Sequence, residues 1–128
     1  MEVTEQMKAA VRKFDSAGEY FFAEGCFITE LSNTPDDPGL SIARARLEPG
    51  RTTQLHHLLA TAERYVIVAG SGLVDIADLP PESVAAGDVV LIPPGCPQRI
   101  SNTGADDLVF LAICSPAFRP EVYVDLES

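Results

Sequence analysis

The chain has 128 residues, 46% of them hydrophobic and 22% charged, a balance that allows one compact core and excludes both a second catalytic module and a mostly disordered chain. Nine basic against nineteen acidic residues give a net charge of −10, the wrong sign for holding phosphate backbones, so no nucleic acid is expected as a partner. No stretch reaches the roughly 20 apolar residues of a spanning helix, and the opening MEVTEQMKAAVRKF is polar where a secretory signal has its apolar run, so a cytoplasmic protein without a membrane partner is expected.

In chain order, Val3, Met7, Val11 and Phe14 stand at spacings of four, four and three, which predicts a short N-terminal helix with Thr4 as its N-cap. From Glu19 the run YFFAEGCFITEL is rich in aromatic and β-branched residues, broken by Gly25 and closed by the turn cluster SNTPDDPG. In residues 40–47, Ala43, Ala45 and Leu47 alternate with Arg44 and Arg46, the period of a strand. Residues 52–59, 64–68, 73–76, 89–92, 98–101 and 108–114 follow as strand candidates between Gly- and Pro-rich turns. About eight short strands without crossover helices predict an all-β antiparallel sandwich or barrel. One domain is expected over 1–128, its core at about 19–124. Cys26, Cys96 and Cys114 are odd in number, far apart and in no CxxC arrangement, so free thiols are expected rather than a disulfide framework or a structural zinc site.

The chemistry-bearing residues gather around the only two histidines, the neighbours His56 and His57. Adjacent strand residues face opposite ways, so one looks into the barrel and the other out, and the two do not chelate one ion. Glu63, seven residues after His56, returns to the same mouth on the next strand. If it faces inward, Tyr65 and Ile67 do too, and His57 and Arg64 point outward.

Gly50, five residues, His56, one residue, Leu58, four residues, Glu63, six residues, Gly70 resembles the first cupin motif, G(X)5HxH(X)4E(X)6G, with Leu58 in place of its second histidine. Gly87, five residues, Pro93, Pro94, Gly95, two residues, Gln98, three residues, Asn102 is similar to the second motif, G(X)5PxGxxH(X)3N, with Gln98 where its histidine stands. The motifs span 50–70 and 87–102, and sixteen residues separate them. The resemblance implies a double-stranded β-helix, or jelly-roll, barrel. It also implies a divalent ion, Fe, Mn, Ni or Zn, held by His56, Glu63 and the amide oxygen of Gln98, with weaker affinity than a full set of imidazole ligands would give. No organic cofactor is implied.

Each residue also has a plainer role. His56 fits as a barrel histidine hydrogen-bonded to Glu63 with no ion between them. Tyr65 is the candidate catalytic acid or base, or an orienting hydroxyl, against simple packing with one hydrogen bond. Gln98, if buried, needs Glu63, His56, a water or the ligand as a partner. Cys96 lies in the PPGCP turn near the mouth, where a thiolate could reach a metal or sit inert; Cys114 fits the core. The leading expectation is metal-dependent chemistry on a small organic molecule at the barrel mouth, of dioxygenase, isomerase, lyase or cyclase type; the alternative is a non-catalytic, metal-free binding or sensor protein. The apolar YFF stretch predicts a homodimer formed through the N-terminal third.

Overall fold

The computed structural model describes residues 6–127. Eleven strands occur among them: β1 (Tyr20–Phe21), β2 (Phe27–Ser32), β3 (Ser41–Leu47), β4 (His56–Leu58), β5 (Ala62–Ala69), β6 (Ser71–Ile76), β7 (Glu82–Ala85), β8 (Val89–Ile92), β9 (Gln98–Asn102), β10 (Leu108–Ser115) and β11 (Tyr123–Asp125). They form two antiparallel sheets, ordered β1-β2-β3-β10-β5-β8 and β11-β4-β9-β6-β7. Non-sequential neighbours, β10 between β3 and β5 above all, make this a jelly roll. Among the described residues no helix is long and apolar enough to cross a membrane.

Alternation places the core. On β5, Glu63, Tyr65 and Ile67 are buried while Arg64 and Val66 are only partly so, and on β3 the inward Ala45 and Leu47 alternate with partly exposed Arg44 and Arg46. Leu47, Ile67, Ile100, Leu108 and Phe110 are fully buried between the sheets, each contributing roughly 1.5–3 kcal/mol by burial. Outside, Arg46 holds Glu19 through Nε at 3.0 Å and Nη2 at 2.7 Å, donates from Nη1 to Asp107 at 3.1 Å, and lies over the Phe27 ring at 4.3 Å. That fork ties the chain entering β1 to β3.

Two motif residues serve the backbone. Buried Asn102 donates from Nδ2 to the carbonyls of Leu47 and Asp106, both at 2.8 Å, and accepts from the Gly104 N–H at 2.9 Å, fastening the end of β3 to the turn between β9 and β10. At Gly70 the β5–β6 turn has φ +84° and passes so close to the β9–β10 loop that a Cβ would stand 2.6 Å from the Asp107 carbonyl oxygen.

The N-terminal helix is not formed. Residues 6–15 lack helical structure, Val3 and Thr4 lie outside the described residues, and only a 3-10 turn at Ser16–Gly18 follows, with Asp15 accepting from the Ala17 N–H at 3.0 Å. The reason is missing packing. Met7, Val11 and Phe14 are 66%, 82% and 56% exposed, and so short a helix depends on burying its stripe. The candidate at 52–59 shrinks to β4 and an isolated bridge between Thr52 and Ser101. β7 and β11, four and three residues long, escaped the sequence reading because so few residues carry no clear period.

Gly70→Ala and Gly50→Ala separate backbone strain from overlap. Both glycines have positive φ, +84° and +77°, but a Cβ at Gly50 meets nothing within 4 Å. Urea unfolding is expected to show a loss of about 1–3 kcal/mol for Gly50→Ala and a clearly larger loss for Gly70→Ala.

Candidate functional site

Small side chains open the site. At one end of the barrel the inward positions of β3 and β10 are Ser41, Ala43, Ala112 and Cys114, with Ala43 opposite Ala112 and Ser41 opposite Cys114. These residues cannot fill the space between the sheets, and a cavity open to solvent remains. His56 and Leu58 of β4, Glu63 of β5, Glu30 of β2, Tyr123 of β11 and Glu24 of the β1–β2 turn stand on its walls.

His56 is 2% exposed and held on three sides. Its Nδ1 donates to the Gln54 carbonyl at 2.7 Å, its Nε2 lies 3.3 Å from Glu24 Oε2, and its ring stacks on Tyr123 with centroids 4.8 Å apart at 23°. A carbonyl only accepts, so the Nδ1 proton is fixed there. Nε2 is thereby left turned toward Glu24 Oε2 at the cavity wall. Glu24 is oriented by Cys26, whose thiol donates to Oε1 at 3.0 Å. Burial first, then the Glu24 charge, pushes the Cys26 thiol far up, so it remains a donor.

Glu63 faces the same cavity and is 8% exposed. The Cys114 thiol approaches its Oε2 at 3.6 Å, while Oε1 has no hydrogen-bond partner. Burial, reinforced by the negative charge of Glu24 and opposed by the nearby Gln98 amide and Cys114 thiol, raises its pKa to about 8. The group is therefore a neutral acid at pH 7. Behind it the Tyr65 hydroxyl donates to Oε1 of the fully buried Gln98, whose Nε2 has no partner. The Tyr65 ring packs on Phe110 with centroids 4.5 Å apart, and burial holds its phenol well above the usual value.

Of the four residues singled out in the sequence, His56 and Glu63 line the cavity, whereas Tyr65 and Gln98 are buried, bonded to each other, and absent from its lining. The hydrogen-bond partner of His56 is the Gln54 carbonyl, and the carboxyl group beside its Nε2 is that of Glu24 and not Glu63. His57 is partly exposed opposite Val124, and Arg64 donates to the Ser115 hydroxyl at 2.6 Å. The Cys96 thiol reaches the Pro97 carbonyl at 3.6 Å and does not line the cavity. Cys26, Cys96 and Cys114 are free. Among the described residues no group of three or more His, Cys, Asp or Glu side chains is arranged to hold a metal ion. Glu24 and Tyr123 went unnoticed in the sequence; the one signal for Glu24 was an acid beside Gly25 inside an otherwise apolar run.

The family model described as the cupin domain matches residues 43–114, which include both motifs. The chain belongs to the cupins. An uncharacterised protein of Methanocaldococcus jannaschii is 32% identical to this cupin over 117 residues, 90% of this chain and 93% of that one. An oxalate-binding protein of Thermotoga maritima is 38% identical over 73 residues, 56% of this chain and 58% of its own. Among solved structures, Pac13, a nucleoside dehydratase from Streptomyces, superposes with a TM-score of 0.73 at 18% identity over 91% of this chain and 92% of its own, a likeness of fold.

Glu63 gives stability a sign with pH. Its folded pKa, about 8, lies above the ordinary 4.5, so its contribution is fully present below pH 4.5 and is lost as pH rises through 8. Between these values the slope approaches about 1.4 kcal/mol per pH unit for one proton. Glu63→Gln removes that share, and urea unfolding from pH 5 to 9 should fall less steeply in the variant than in the parent.

Proposed function

We propose that this cupin binds a small organic molecule in the barrel-mouth cavity and acts on it by proton transfer, as a lyase or isomerase. The observation that carries the reading is the placement on one cavity of His56, its Nε2 3.3 Å from Glu24, and of the buried acid Glu63. A base that takes a proton from a C–H bond and an acid that protonates a departing or rearranging oxygen are what elimination and isomerisation need. The dehydratase Pac13, with the same fold, carries out a reaction of that class. Tyr65 acts from behind, holding Gln98 and through it the surroundings of Glu63.

The second reading is metal-assisted chemistry with His56, Glu63 and Gln98 as ligands of Fe, Mn, Ni or Zn. The unpartnered Oε1 of Glu63 supports it. The donor set falls short of it, because the Gln98 oxygen already accepts from Tyr65 and buried Leu58 stands where a further imidazole would coordinate, which leaves only His56 and Glu63 of that set to hold an ion.

One experiment separates the readings. Protein dialysed against chelator is incubated in D2O with a panel of small hydroxylated and carbonyl compounds, and NMR follows deuterium entering a ligand carbon or loss of water. Proton transfer is expected to survive chelation and to fall by about 10²–10⁴ in His56→Gln and Glu63→Gln. Activity that chelation abolishes and one of the four ions restores establishes the metal reading. A ligand that binds without any exchange makes the protein a binding or sensor module.

We further propose a homodimer through the N-terminal third. Met7, Val11, Phe14, Tyr20 and Phe21 are 43% to 82% exposed, and β1 is an edge strand, two features that a second copy would cover. Sedimentation at micromolar concentration should show a dimer that Phe21→Lys weakens; a monomeric parent overturns it.

A further inference from the structure

We infer that the outer face of β10, β5 and β8 receives the N-terminal segment of a second copy, so that each chain lays its exposed Met7, Val11 and Phe14 on its partner's sheet. This rests on the homodimer proposed above and names the surface that the segment meets. An antiparallel sheet with one solvated face alternates apolar and polar residues. These strands do not. β8 reads VVLI and β10 reads LVFLAICS, near-continuous apolar runs of the kind carried by strands covered on both faces. The outward positions of the three strands hold Val66, Val68, Val89, Leu91, Leu111 and Ile113, and Arg64 is the one charged residue among them. Val89, Val66 and Leu111 stand side by side in one row, and Leu91, Arg64 and Ile113 in the next. Val89 is 56% and Leu91 69% exposed, and a bare apolar face of this kind marks an interaction surface.

The chain's own N-terminal segment covers the other half of that face. The Arg44 guanidinium lies over the Phe14 ring at 5.5 Å, Glu19 accepts from Arg46 Nε at 3.0 Å, and Phe21 meets Phe27 edge-on with centroids 5.2 Å apart, all of them on outward residues of β2 and β3. Arg12 donates to Thr34 Oγ1 at 3.2 Å and lies 3.9 Å from Asp36. These partners stand beyond the end of β2 and hold the segment on the side of the sheet away from β5 and β8. One chain thus presents an apolar stripe with no surface beneath it and an apolar surface with nothing above it, side by side on one sheet. A two-fold axis along the strands, over the junction of β3 and β10, sets each stripe on the partner's bare half and covers both at once.

Charge agrees with that arrangement. From Gln6 to Phe14 the segment holds Lys8, Arg12 and Lys13 and no acid, three of the nine basic residues in a chain of net charge −10. The bare half is bordered at one end by exposed Asp88 and Asp106, which precede β8 and β10. A basic segment over an acid-bordered face attracts, whereas most other pairings of so acidic a surface with itself repel.

Sedimentation of the full chain at micromolar concentration and low salt tests the inference with Val11→Lys and Leu91→Glu, both at exposed positions, and with Leu79→Glu, at an exposed position between β6 and β7, as the control. Val11→Lys and Leu91→Glu are each expected to raise the dimer dissociation constant at least about tenfold, and Leu79→Glu to leave it unchanged. Mixing the first two variants should recover most of that loss, because the mixed dimer has one unaltered contact and one in which the new lysine meets the new glutamate. Val89→Ser, a milder change on the same face, should weaken the dimer by a smaller factor and keeps the test open if Leu91→Glu fails to fold. A monomeric parent removes the homodimer itself. A dimer that Phe21→Lys weakens while Leu91→Glu and Val89→Ser do not keeps the N-terminal contact and overturns the sheet face as its receiver. Loss in both Val11→Lys and Leu91→Glu without recovery on mixing puts both surfaces in the interface but not against each other, and overturns the inference. An equal loss in Leu79→Glu assigns the effect to net charge and overturns it too.

Discussion

A carboxyl group buried at a cavity wall with one oxygen unmatched sets the conditions for the rest of the site. Glu63 cannot turn away, because it shares the inner face of β5 with Tyr65 and Ile67, both in the core. A one-residue slip would send Arg64 and Val66 inside and Ile67 out, so the register that makes the core also buries the acid. Its neighbours across the sheet are Cys114 and then Ser41, small residues that leave the space for the cavity. Desolvation then keeps the proton on Glu63.

His56 is fixed by different means, since β4 has only three residues and meets β9 at a single pair, His56 opposite Gln98. The chain before and after the barrel supplies the rest. Glu24 arrives from the β1–β2 turn, and β11 lies along β4 with Tyr123 under the imidazole. Beyond β11 the Leu126 N–H donates to the Leu55 carbonyl at 2.9 Å, and the Leu55 N–H donates to the Glu127 carboxylate. The barrel frame presents the histidine, and these flanking segments determine its partner.

That division explains what the sequence disclosed. The inward set His56 and Glu63, the outward Arg44 and Arg46, and the structural glycine at Gly70 follow from alternation and turn chemistry, which are local. Glu24 is not local to His56, and nothing in the spacing of the YFF run says that its break folds over a strand that comes later in the chain. The N-terminal stripe failed for the complementary reason. Its spacing was helical, but periodicity records which side chains could share a face and not whether anything packs against it.

The two departures from the cupin motifs, Leu58 and Gln98, fit one electrostatic account. Gln98 gives its oxygen to the Tyr65 hydroxyl, and Leu58 is buried as an apolar wall, so neither brings charge to the cavity. Among the described residues, three carboxyl groups and one imidazole then stand on a wall that holds no lysine or arginine. Burial disfavours charge on the deepest of these carboxyl groups, Glu63. The proton that burial keeps on Glu63 is a neutralising charge this chain itself provides. A carboxyl group that keeps its proton can donate a hydrogen bond as well as accept one.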